Sequence, residues 1–148
     1  MKILILFLIR YLVFAGEIWT VYKLEKSIRP EKKMLMISAA ILLLTAILGC
    51  EKNIAVEAVG SFFWGSLIAA AYSDFQIKQV YNFFLYIGLF AAAITMIAQG
   101  IDIKNYVVDI IIFSLLQMFL FGRMYGKADC MSFVVCAVFF TAYGSTRE

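Results

Sequence analysis

The chain reads as an all-α, polytopic membrane protein of about six transmembrane helices, and three observations predict it. Of its 148 residues, 64% are hydrophobic and 16% charged, against about half and about a quarter in soluble globular proteins. The apolar residues fall in unbroken runs such as Ile41 to Leu44 and Ile110 to Phe113, not in the alternation that a membrane barrel needs. A span takes roughly 20 apolar residues, so six spans with short turns use up the length and leave no room for a soluble domain beside them.

Apolar windows place the spans near 3–22, 34–50, 55–73, 83–99, 105–122 and 129–144. The first follows Lys2, and its Val13-Phe14-Ala15 resembles a secretory cleavage site. Arg10 interrupts the apolar core of such a signal and the pattern continues to Tyr22, so a retained span is expected. Arg10 and Glu17 stand seven residues apart and share a helix face. They are expected to turn into the bundle and partly neutralise each other through water or neighbours, or else to snorkel to the interfaces. The loop to the second span holds Lys23, Lys26, Arg29, Lys32 and Lys33 with the only proline, Pro30. The third span ends in the small-residue run Ala69-Ala70-Ala71, which permits close packing. The fourth follows Asn82, the fifth follows Lys104, and the sixth opens at Asp129.

The basic loop marks the cytoplasmic side. Alternation then adds Lys78, Arg123 and Lys127 inside and leaves Lys2, Lys52, Lys104 and Arg147 outside, with both termini facing out. Two segments follow: residues 1–54, two helices with the basic loop, and residues 55–148, the remaining four. The net charge of +3 gives no support to nucleic acid as a partner.

The absence of histidine removes the commonest metal ligand and general base. Cys50, Cys130 and Cys136 form no Cys-x-x-Cys pair and read as thiols buried among apolar groups. No metal and no cofactor are expected. Seven acids, Glu25, Glu31, Glu51, Glu57, Asp102, Asp109 and Glu148, are accounted for as solvated or snorkelling charges. Asp74 closes the third span and Asp129 opens the sixth, and alternation brings both to the cytoplasmic face. In Gly126-Lys127-Ala128-Asp129 the small residues leave room for an extended chain to approach the carboxyl. A carboxyl pair of this kind suits acid–base hydrolysis of a peptide bond: one keeps its proton and polarises the carbonyl while the other deprotonates water. The competing account is capping, with Asp129 ahead of the apolar run Cys130 to Val138 and Asp74 ahead of a short helix in 75–82.

At these residues the sequence resembles the type IV prepilin peptidases, aspartic intramembrane proteases with a Gly-x-Gly-Asp motif. In that family the first aspartate begins a stretch that ends in Ile-Pro-Asn eight residues later. Asp74 and Asn82 keep the spacing, Val80-Tyr81-Asn82 takes the Ile-Pro-Asn place, and Asp129 matches the second aspartate at the cytoplasmic start of a later helix. The match covers roughly residues 57–143. Tyr81 stands for the proline, Ala128 for the second glycine, and Met131 where a lysine is frequent. The resemblance implies an endopeptidase that cuts the short basic leader from a pilin-like precursor just before its apolar helix. Asp74 and Asp129 would be catalytic, with Asn82, Gly126, Lys127 and Ala128 as motif and substrate-binding residues. The cysteine-containing cytoplasmic insert of longer members is missing, so no methyl transfer is expected. Lys127 and Arg123 are expected to hold a carboxylate or to anchor helix ends. The alternative function is non-catalytic: a leader-binding relative, or a small transporter or channel subunit.

Overall fold

The computed structural model describes residues 1–26, 28–49, 53–121 and 127–144. It is all-helical there: α1 (Lys2–Glu25), α2 (Lys32–Leu48), α3 (Ile54–Ile77), α4 (Asn82–Ala98), α5 (Ile103–Leu116), which passes into a π-helical turn (Gln117–Phe121), and α6 (Lys127–Gly144). All six expected helices are present. Cys50, Arg123 and Gly126 lie outside the described residues, whereas Cys130 is a buried free thiol and Cys136 a half-buried one.

The helix ends follow from local chemistry. Asn53 caps α3 by accepting the Ala55 N–H at 3.0 Å, and Asp102 caps α5 by accepting the Lys104 N–H at 3.2 Å, each satisfying a donor that the first turn leaves open. At their C-termini α1 and α3 stop on residues in the left-handed region, Lys26 with φ 50° and Lys78 with φ 58°. The N–H of each turns back to a carbonyl four residues earlier, Tyr22 and Asp74 respectively.

Side-chain register gives the topology. Arg10, Val13 and Phe14 of α1 meet Glu57, Gly65 and Tyr72 of α3 in ascending order, so α1 and α3 run parallel. The α1–α3 approach is close: a Cβ on Gly65 would stand 2.7 Å from Val13 Cγ1 and 3.1 Å from the Arg10 carbonyl. Glycine alone lets the two backbones come together there. Phe63 of α3 stacks on Phe139 of α6 at 3.7 Å between centroids. Phe63 and Ser66 of α3 and Val135 of α6 all approach Gly88 of α4. Short turns fold α4 back on α3 and α5 back on α4, and the Cys130 thiol beside the Gln117 carbonyl at 3.6 Å sets the start of α6 against the end of α5, so α6 runs antiparallel to α3.

Two apolar clusters hold the bundle. One joins Phe14, Ile18 and Val21 of α1 and Leu42 of α2 to Ala69, Ala70 and Tyr72 of α3 and Phe84 of α4. The other joins Phe63 to Leu85, Ala91, Ala92 and Met96 of α4 and to Val135, Val138 and Phe139 of α6. Among the described residues two helices are long and apolar enough to cross a membrane by length and composition, over Lys2–Leu24 and Ile54–Ile77.

Candidate functional site

Asp74 lies in the last turn of α3, with its side chain exposed. The capping account of this residue is overturned: residues 75–77 continue α3, and no short helix spans 75–82. The Asp74 carbonyl accepts the Lys78 N–H at 2.9 Å, which closes the helix and turns the chain toward α4. Tyr81 then sits in extended backbone with φ −78° and ψ 127°. That φ falls in the range a proline ring imposes, although the residue is tyrosine. Asn82 is the first residue of α4 and is exposed.

Asp129 belongs to the first turn of α6 and is also exposed. Lys127 and Ala128 precede it inside the helix, so the Ala128 backbone is right-handed and does not call for glycine. Helix register puts the two aspartates at one end of the bundle. Eleven residues separate Phe63 from Asp74 and ten separate Phe139 from Asp129. With a rise of about 1.5 Å per residue, each aspartate stands about 15–17 Å from the stacked ring pair, in the same direction. Asn82 and Asp129 are likewise each six residues from Gly88 and Val135, which touch. Asp74, Asn82 and Asp129 therefore share a level, on three helices of which α4 packs against both α3 and α6.

The loop between α1 and α2 is fastened to this end. Gln76 accepts the Arg29 N–H through Oε1 at 3.0 Å and donates from Nε2 to the Arg29 carbonyl at 2.7 Å. The Tyr72 hydroxyl donates to the same carbonyl and accepts the Glu31 N–H, both at 3.2 Å. Beside this clamp a notch of about 260 Å³ is lined by Arg29, Glu31, Phe75 and Gln76. The notch thus begins at the residue that follows Asp74.

Deeper in the bundle the structure corrects two expectations. Glu57 is not a solvated or snorkelling charge: it is fully buried and forms a 2.6 Å ion pair with the fully buried Arg10. Arg10 Nε also donates to Ser61 Oγ at 3.3 Å, and Ser61 donates to the Glu57 carbonyl at 2.7 Å. Arg10 and Glu17 do turn inward, but neither neutralises the other. Glu17 accepts from the Ser66 hydroxyl at 2.6 Å. Both partners lie on α3, about fifty residues away, so no local pattern on α1 reveals them. The spacing of Glu57 and Ser61 on one face of α3 was the available signal.

The aspartates supply two carboxyls from separate helices at a solvent-facing end, with a primary amide at the same level. This set can hydrogen-bond water and orient a polar chain. Asp102 spends its carboxyl on its helix cap, and Asp109 is exposed on α5. No family model, no curated protein and no solved structure matches the chain.

Proposed function

We propose that the chain is a multi-pass membrane protein and an aspartic endopeptidase that removes the short basic leader of a pilin-like precursor at the cytoplasmic face. The membrane reading rests on apolar side chains turned outward, such as Leu12, Phe90 and Phe119, which are 68%, 69% and 83% exposed. A soluble surface rarely carries so many together. The helix α1 is a surface element of this kind, since only 28% of its apolar window is buried. The 17 residues of α2 and of α4 lie at the short end of the range for a spanning helix.

The observation that carries the peptidase reading is the shared level of Asp74, Asn82 and Asp129 at one end of the bundle. One carboxylate takes a proton from water, and the hydroxide formed adds to the scissile carbonyl. The other carboxyl, protonated, donates to the carbonyl oxygen as charge develops there. Collapse of the adduct passes a proton to the leaving nitrogen and frees the leader. Hydrolysis alone is proposed, without methyl transfer.

The test uses the fact that asparagine keeps the shape and hydrogen bonding of aspartate but does not exchange a proton near neutral pH. Asp74→Asn and Asp129→Asn should each lower leader removal at least about a hundred-fold, measured by gel shift of a co-expressed precursor at equal protein level. Asp102→Asn retains a good cap and Asp109→Asn alters an exposed side chain, so both should cut at the parental rate. Cleavage by either inner variant at that rate would sink the two-aspartate mechanism. Precursor that is bound yet never cut by the parent would favour the leader-binding relative instead.

A further inference from the structure

On one flank of the bundle, α1, α3 and α4 leave a groove of about 840 Å³ with an almost wholly apolar lining. Its walls include Gly16, Glu17 and Thr20 on α1 and Phe83, Tyr86 and Phe90 on α4. Two independent features mark it as a seat for another helix. First, Gly16 has nothing within 4 Å of the place its Cβ would occupy, in contrast to Gly65. Glycine inside a helix costs about 1 kcal/mol relative to alanine, and in membrane bundles such a residue lets a second backbone approach closely. Second, Glu17 is 7% exposed, and while Oε1 accepts from Ser66, Oε2 has no hydrogen-bond partner among the described residues. A carboxyl in apolar surroundings calls for a donor, and rotation about its soft terminal torsion turns an oxygen toward an incoming one.

We propose that this groove seats the apolar helix of the precursor whose leader is cut, an inference that rests on the peptidase reading. The scissile bond directly precedes that helix, so the helix must leave the Asp74 end and run along the bundle. The groove follows that path. It starts at Phe83, next to Asn82, and follows α4 to Phe90, about 10 Å farther from the aspartates at 1.5 Å per residue. The seated helix places a small residue against Gly16 and a hydroxyl or N–H side chain against Glu17.

The test uses full-length protein in lipid nanodiscs and a pilin-like precursor made of a short basic leader and an apolar helix with one serine. With Tyr86 replaced by benzoylphenylalanine in an Asp74→Asn background, irradiation should attach the precursor through its apolar helix, located by mass spectrometry. Adducts confined to lipid, or to a second copy of the chain, overturn the proposal. In the otherwise unaltered protein, Gly16→Phe sends a ring into the groove from a Cβ position with nothing within 4 Å. It should cut the precursor at least tenfold more slowly with an unchanged melting temperature, and Gly16→Ala, a smaller intrusion on the same approach, should fall between it and the parent. Parental cutting by Gly16→Phe overturns the groove and leaves the peptidase standing. A parent that never cuts overturns the peptidase, and the crosslink then decides the groove by itself.

Discussion

Arg10 is the largest of the fully enclosed side chains, and its charge is balanced by one residue, Glu57, from a helix 47 positions away. Two charges taken out of water are costly, and their attraction offsets that cost only while both are present. Arg10→Leu should therefore destabilise the protein by about 3–5 kcal/mol, and Glu57→Leu similarly, because each leaves an uncompensated buried charge. Replacing both by leucine should restore most of the loss. Thermal unfolding in detergent of the parent, both single variants and the double variant checks this; additive losses in the double would refute the pairing. Its place within an apolar run left Arg10 two outcomes, turning inward or snorkelling, and the structure shows the first. The partner was not legible, because Glu57 stands one turn inside α3, where composition alone cannot separate a buried carboxylate from one reaching for water.

Helices were the most legible elements, since apolar runs bounded by Lys, Asn, Gly and Asp name the segment and place its ends to within a few residues. The difference at α3 is instructive. An apolar window stops at Ser73, where polar side chains begin, but the helix continues to Ile77. Backbone hydrogen bonding persists until a residue adopts the left-handed turn, and Lys78 does so. That conformation costs a non-glycine residue about 1–2 kcal/mol, so Lys78→Gly should stabilise the fold by up to about 1 kcal/mol, once loss of the Lys78 ammonium above the Phe75 ring is counted. Gly65→Val should do the reverse, lowering stability by about 1–3 kcal/mol through overpacking against Val13. Melting temperatures of both variants at equal detergent and salt give the signs. The candidate site lies on this boundary: Asp74 is legible as the acid that closes an apolar run, but its place inside the last turn of α3 depends on where the backbone bonding stops.

For the molecule as a whole, the parallel course of α1 and α3 and the antiparallel course of α3 and α6 make an up-and-down bundle, and the proposed membrane reading assigns its two ends to opposite sides. Cysteines placed singly at positions 26, 78 and 127, in a background without Cys50, Cys130 and Cys136, should react with an impermeant thiol reagent from the cytoplasmic side. Those at 52 and 104 should react from the other side. Labels at 78 and 127 on opposite sides would separate the aspartates and end the peptidase reading. The Gln76 amide bears on the same arrangement in another way. It pairs the Arg29 peptide as one strand residue pairs another, with one donor and one acceptor. A carboxylate or an amine at position 76 offers only half of that pairing. Because the tether is neutral, the salt that screens surface charges and the acidity that discharges carboxylates leave it intact. The basic loop can thus exchange its counterions freely while staying docked beside Asp74.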